Sequence, residues 1–293
     1  MSLQLKPRTA EFAAEAAGVD LCMPLETGMA AAIEAAMDRY GILVFPGQLL
    51  SDDQQVAFAR NFGDLEPDPT QVALDQRRLS HRDLTDISNL DVGGRIMAVD
   101  NRRRLANLGN RLWHSDSSFK RTPAKYSFLH GRVVVQDGGE TEFADIRAAW
   151  DALPEKTRAK LRDLVCEHSL LFSRSQLGFG DFTDAERVKH APVRQRLVRR
   201  HAGSGRMVLY LSSHIGGIVG WPTPEALALI RDLIEQATQR EFVYRHTWRQ
   251  HDLIIWDNRC TMHRVRAFED RELPRDMRRV TLQDSAPTLD QPV

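Results

Sequence analysis

Apolar positions recur along the chain with two periods, one near 3.6 residues and one near 2, and the two alternate from segment to segment. Residues 29–40 are alanine-rich with helical apolar spacing, and Gly41 follows, so they predict a helix closed by a left-handed cap. Ile42-Leu43-Val44-Phe45 is a continuous apolar run stopped by Pro46-Gly47, which predicts a short buried strand. Ser51, with Gln54 three residues on, carries the capping-box signature of a second helix, ended by Gly63. Residues 64–110 are polar, rich in Arg and Asp and weakly periodic. They predict a long excursion of loops near a site.

Further on, residues 126–135 and 141–143 read as strands around an Asp137-Gly138-Gly139 turn. Helical patterns cover 146–153 and 155–165, separated by Pro154. Thr223 reads as the cap of a helix over 224–238, with Pro224 at its first position. Residues 242–248 and 253–256, joined by Gln250-His251-Asp252, predict a hairpin; 277–282 predicts the last strand and 285–293 a frayed tail. Strands with helices inserted among them predict a β-rich α+β fold in one domain over 1–293, its core at about 20–284. No strand, glycine-rich turn and helix follow one another, which disfavours a parallel doubly wound sheet.

Composition narrows the function. The 293 residues are 42% hydrophobic and 27% charged, enough for a substantial core and too apolar for a disordered chain. Forty basic and forty acidic residues cancel, so the basic excess of a dedicated nucleic-acid or anionic-membrane binder is missing. Cys22, Cys166 and Cys260 are too scattered for a disulfide framework or a thiolate zinc site, and fit a reducing compartment. No apolar signal core opens the chain and no apolar run reaches transmembrane length. A cytoplasmic protein with a small-molecule partner is expected, and neither a nucleic-acid nor a membrane partner. The sequence leaves the oligomeric state open, a homo-oligomer included.

Ten histidines and forty acidic residues make about 1.4 His-x-Asp/Glu triplets by chance, so the pattern alone proves nothing. Two occur. His81-Arg82-Asp83 lies in a charged stretch and reads as a solvated loop. His114-Ser115-Asp116 lies between Leu112-Trp113 and Ser117-Ser118-Phe119; on a strand its imidazole and carboxylate would share a face, as two ligands of one metal do. His263, past the apolar run 253–256 and the turn-like Asp257-Asn258-Arg259, is the candidate third ligand; taken alone, a packed histidine is the plainer reading. Two histidines and a carboxylate leave three positions open on a metal, which suits non-haem iron(II) and oxygen. Zinc accepts the same set, and spacing does not choose between them. Arg275 and Arg279 flank Met277 on one strand face, with Arg278 on the other, so Met277 is expected to line any cavity there. Next to an open metal site such forked donors would anchor a dicarboxylate; without one they make a basic, solvated edge.

Residues 112–119, Gly138-Gly139-Glu140-Thr141-Glu142-Phe143-Ala144-Asp145, and Trp256-Asp257-Asn258-Arg259-Cys260 with His263 resemble the taurine/2,4-dichlorophenoxyacetate dioxygenase family. His201-Ala202-Gly203-Ser204-Gly205-Arg206 brings the likeness closer to its 2,4-dichlorophenoxyacetate branch. The resemblance implies a double-stranded β-helix, a cupin-like jelly roll with inserted helices. It implies iron(II) on His114, Asp116 and His263, with 2-oxoglutarate and oxygen as co-substrates. Thr141 and Arg275 would bind the distal carboxylate of 2-oxoglutarate, Arg279 the acid group of the prime substrate, and His201 and His214 would stand near that substrate. The implied reaction hydroxylates an aryloxyalkanoate beside its ether oxygen, releasing a phenol and glyoxylate with succinate and carbon dioxide. No catalytic group beyond the metal centre is implied. Relatives use lysines upstream of the iron motif to hold the substrate; this chain has none between Lys6 and Lys120, and Arg95 is the stand-in. A taurine-type sulfonate dioxygenase, a zinc-dependent jelly-roll hydrolase and a non-catalytic binding barrel are the competing readings.

Overall fold

The structure, a computed structural model, describes residues 2–66, 77–79 and 81–292. Helix α1 (Met29–Tyr40) forms where the alanine-rich spacing places it and buries Ile33, Met37 and Tyr40; Gly41 ends it at φ 68°. Helix α2 (Asp52–Ala59) starts on the reciprocal Ser51–Gln54 capping box. Five short helices follow: α3 (Arg102–Asn107), α4 (Ile146–Asp151), α5 (Glu155–Leu161), α6 (Leu170–Ser175) and α7 (Asp184–Lys189). The longest is α8 (Thr223–Ala237), whose cap is Pro222 and not Thr223.

Among the described residues one sheet dominates. Its order is β1 (Gln4–Pro7), β2 (Ala14–Ala17), β3 (Ile42–Phe45), β13 (Leu253–Asp257), β5 (Ala124–Val133), β15 (Asp276–Gln283) and β4 (Thr85–Ser88). Only the β2–β3 pairing is parallel. A smaller antiparallel sheet runs β12 (Val243–His246), β6 (Thr141–Asp145) and β14 (Thr261–Val265). Two further sheets join β11 (Ile215–Ile218), β7 (Val165–His168) and β8 (Val193–Arg196), and β9 (Val198–Arg200) with β10 (Met207–Leu209). This is a mixed α/β fold with a large antiparallel sheet. No helix among the described residues is long and apolar enough to cross a membrane.

Three apolar clusters hold the layers together. Ile33 and Met37 of α1 and Phe58 of α2 pack on Phe45 and Phe128 of the large sheet. Trp150 of α4 and Ile230 and Leu233 of α8 pack on Leu197, Val208 and Leu211. The third cluster lies between two sheets: Phe143 of β6 meets Ile254 and Trp256 of β13 and Leu129 of β5. Met277 is packed in this cluster, not on a cavity wall as its strand position implied.

Several local expectations give way to tertiary pairing. β12 and β13 are not a hairpin: β12 pairs with β6, while β13 sits between β3 and β5. The intervening turn, with His251 at φ 67°, crosses from one sheet to the other. Every residue of β13 is buried, the mark of a central strand, and a turn motif does not say which partner a strand takes. The predicted helix over 155–165 stops at Leu161, and Val165 opens β7. The excursion over 64–110 contains β4 and α3; its residues 67–76 and 80 lie outside the described residues. The tail is docked rather than frayed: Thr288 is buried and donates to Gln195 Oε1 at 2.5 Å.

One buried group ties the fold to pH. His168 on β7 is fully buried beside Tyr210, neither ring nitrogen has a hydrogen-bond partner among the described residues, and burial pushes its pKa down to about 3. An unfolded histidine titrates near 6.5, so below that pH the unfolded chain takes up a proton that the folded chain refuses. Stability should therefore fall by about 1.4 kcal/mol per pH unit as pH drops from 6.5 towards 3. Urea midpoints measured against pH should show this acid limb in the native chain and a shallower one in His168→Phe.

Candidate metal centre and co-substrate cavity

His114, Asp116 and His263 converge, although His114 and Asp116 are not neighbours on a regular strand. His114 forms an isolated bridge with His263 of β14: each backbone N–H donates to the other's carbonyl, at 3.0 and 2.8 Å. The chain then turns, with Ser117 at φ 53°, and that turn carries the Asp116 carboxylate to both rings. His114 Nε2 lies 3.8 Å from Asp116 Oδ1, and His263 Nε2 lies 3.8 Å from Oδ2. His114 Nδ1 donates to the Leu112 carbonyl at 2.7 Å, which fixes its tautomer and leaves Nε2 with the free lone pair.

Burial pushes both imidazoles below their ordinary pKa, so neither carries a proton to be displaced at neutral pH. Burial alone would raise Asp116. The Arg279 guanidinium, with the Ser127 hydroxyl, outweighs it and holds the carboxyl well below its usual range. Arg279 Nη1 donates to Asp116 Oδ1 at 2.5 Å and Ser127 Oγ to Oδ2 at 2.7 Å. Asn258 braces this pair: its Nδ2 donates to Ser127 Oγ at 2.9 Å, while its Oδ1 accepts from the Asp116 backbone at 3.1 Å and from Trp256 Nε1 at 2.9 Å.

Register places the rest of the wall. On β6 and β14, His263 pairs with Phe143 and Val265 with Thr141, so Thr141 shares the His263 face one step along the ladder. Thr141 Oγ1 accepts from Trp248 Nε1 at 2.9 Å, which leaves its own hydroxyl proton to be donated. On β15, Arg279 stands opposite Leu129 and Thr281 opposite Ser127, aiming Arg279 at the same space. A register shift after Asp276 puts Arg275 just outside the strand, its Nη2 donating to the Gly139 carbonyl at 3.3 Å and its guanidinium 5.8 Å from the Phe268 ring. Thr141, Arg275, Arg279, His114 and His263 line one cavity, with Leu129, Trp256 and Phe268 as its apolar wall. Arg278 points away and pairs with Asp52 at 2.5 Å.

Three expected substrate residues are not on this cavity. The Arg95 side chain is 87% exposed and lies 3.6 Å from Asp91. His201 is fully buried with Nε2 2.9 Å from Asp257 and Nδ1 2.8 Å from Ser204 Oγ. His201, Asp257 and Cys260 converge closely, but Arg259 occupies the Asp257 carboxylate, so the cluster is spent within the core. His214 is buried behind the cavity, its ring 6.1 Å from that of His114 and its Nδ1 2.8 Å from Ser173 Oγ. His81 remains in its charged loop, with Nδ1 accepting from the Asp83 backbone. Sequence reasoning missed Ser127, Asn258 and Trp248 as supports. Asn258 lay inside a quoted motif; Ser127 and Trp248 had no local signal.

The chain as a whole has known relatives. The description "Taurine catabolism dioxygenase TauD, TfdA family" matches residues 4–281. The chain belongs to this family. As a member it is an iron(II)- and 2-oxoglutarate-dependent dioxygenase, an oxidoreductase. It is 46% identical over 286 residues, 98% of this chain and 99% of the relative, to an alpha-ketoglutarate-dependent 2,4-dichlorophenoxyacetate dioxygenase of Cupriavidus pinatubonensis. An (S)-phenoxypropionate/alpha-ketoglutarate-dioxygenase of Delftia acidovorans is 34% identical, covering 94% of this chain and 93% of the relative. Among solved structures, AAD-2 in complex with Mn(II) and N-oxalylglycine superposes with a TM-score of 0.92 at 50% identity, covering 99% of this dioxygenase and all of AAD-2.

Proposed function

We propose that this dioxygenase hydroxylates an aryloxyalkanoic acid on the carbon beside its ether oxygen, releasing a phenol and glyoxylate with succinate and carbon dioxide. Arg275 carries the reading. It is a buried cation on the cavity wall, pushed down to about 10 by burial, with no carboxylate in ion-pair distance among the described residues. A buried charge of this kind is costly unless a ligand completes it, and the distal carboxylate of 2-oxoglutarate has the matching charge and shape. Thr141, with its hydroxyl proton free, would be the second donor to that carboxylate. The relatives named for 2,4-dichlorophenoxyacetate and (S)-phenoxypropionate support an aryloxy acid as prime substrate.

The donor set fits iron(II). Two imidazoles already neutral and a carboxylate already ionised lie within 4.8 Å of one another, and together leave coordination positions open. When bound on His114, Asp116 and His263, the iron with 2-oxoglutarate and oxygen would supply the oxidising equivalent for the C–H bond. This chain's residues do the orienting. Arg279 would keep Asp116 ionised and turn its remaining N–H groups to the acid group of the substrate. Leu129, Trp256 and Phe268 would exclude water around the reacting carbon. The two facing sheets, with the cluster around Phe143 and Trp256 between them, support a single-domain double-stranded β-helix.

The test is anaerobic loading with iron(II) and 2-oxoglutarate, then oxygen with aryloxyacetates, aryloxypropionates or taurine. Phenol and succinate in equal amounts are expected from the aryl acids. Sulfite from taurine without phenol from any aryl acid would replace this reading with a sulfonate dioxygenase. Turnover that needs neither oxygen nor 2-oxoglutarate would replace it with a hydrolase.

A further inference from the structure

A second cavity, of about 530 Å³, lies across α3 from the metal ligands and is walled on its other sides by α6 and the segment leading into α7. Helix α3 borders both spaces. Arg104, Asn107 and Leu108 face the inner one, Leu105 and Ala106 the outer one. Leu105, Leu170, Leu171, Phe179 and Phe182 give the outer cavity an apolar side suited to an aromatic ring, while Asp100, Asp181 and the Arg102–Glu186 pair make the rest of its lining charged.

Arg174 lines this outer space, and its charge is uncompensated. Apart from Arg275, which the reading above gives to 2-oxoglutarate, the other cations of the site have partners: Arg279 has Asp116 at 2.5 Å, and Arg104 and Arg111 have Asp270 at 2.9 and 3.6 Å. Arg174 has no carboxylate within ion-pair distance among the described residues; its guanidinium donates to Ser173 Oγ at 3.3 Å. Burial pushes its pKa down, and its charge helps depress both His214 and His114. Its guanidinium lies against Gly109, on the turn between the two cavities, where an added Cβ would come within 2.0 Å of Nη1. Only a residue without a side chain leaves Arg174 that place.

We propose that Arg174 is a specificity residue that supplies the uncompensated positive charge for the acid group of the prime substrate, with the aryl ring in the outer cavity. Arg279 gives that acid direction, but its own charge is balanced by Asp116. The inference rests on the aryl-acid reading above and adds which charge makes the enzyme select an anion. A neutral substrate of the same shape would leave Arg174 buried and unpaired.

The test compares an aryloxyacetic acid with its primary amide on the iron(II)-loaded full chain, by turnover and by equilibrium binding. Arg174→Met should raise KM for the acid ~10- to 150-fold, the loss of one charge-assisted contact, and leave KM for the amide and for 2-oxoglutarate unchanged. Arg174→Lys should restore part of the acid preference. Gly109→Ala, which keeps every charge but displaces the guanidinium, should weaken the acid selectively; it also serves should the methionine variant fold poorly. An acid preference that survives Arg174→Met or Gly109→Ala, or a loss shared equally by acid and amide, overturns the proposal. A native enzyme that yields no phenol, yet binds the acid above the amide through Arg174, would sink the reaction reading and uphold this one. Absence of any acid preference in binding would sink the Arg174 assignment itself.

Discussion

Asp116→Ala should reduce iron(II) binding by more than ~100-fold and abolish turnover. Partners that merely orient a metal ligand cost up to about 100-fold when lost, and Asp116 is placed as a ligand itself. The readout is the weak visible absorption of the iron–2-oxoglutarate complex under nitrogen, which should be absent. The change also strands Arg279, whose partner at 2.5 Å is gone, and removing one member of a buried pair costs about 3–5 kcal/mol. The double variant Asp116→Ala/Arg279→Met should recover much of that stability in urea titrations without recovering the absorption. His81→Ala, in the other His-x-Asp triplet, should leave both unchanged. Loss of the absorption in His81→Ala with Asp116→Ala unaffected would mean that the metal lies elsewhere.

Arg275→Met should raise the 2-oxoglutarate requirement ~10- to 150-fold, because a charge-assisted, two-pronged contact worth about 1.5–3 kcal/mol is lost. The same change should stabilise the free protein. Burial lowers the Arg275 pKa to about 10, and at about 1.4 kcal/mol per unit the empty pocket keeps that guanidinium charged at a cost of about 3 kcal/mol. Methionine fills similar space without the charge. Opposite signs in the two measurements are the signature of a residue kept for its ligand rather than for the fold. A methionine variant with native 2-oxoglutarate kinetics would remove Arg275 from the co-substrate site.

Local chemistry made much of this legible. The Ser51–Gln54 box, the Gly41 cap and the apolar run at β3 act within a few residues, so pattern alone placed them. Partner choice was not local. Nothing within 242–256 says that β12 belongs to one sheet and β13 to another; that depends on burial of β13 between β3 and β5. The site divides in the same way. The spacing of His114 and Asp116 was readable, but their convergence runs through a bridge to residue 263 and a left-handed Ser117. His201 and Arg95 looked available from their neighbours in sequence. A buried Asp257 claims the first, and open solvent surrounds the second. Arg174 had no motif at all. Its character comes from the partner it lacks.

The bridge between His114 and His263 bears on how long a bound ion stays. Its two backbone bonds form a rung that β14 does not extend towards residue 114, so the rung can part without melting either sheet. Parting it would move the two imidazoles away from each other while Asp116 stayed clamped by Arg279 and Ser127. Metal escape is then expected to need only a local opening, so that residence time, measured by chelator-driven release, should follow the strength of one rung rather than global stability. Substitutions that stiffen the turn at Ser117 would lengthen that residence time, and substitutions in the distant core would leave it as it is.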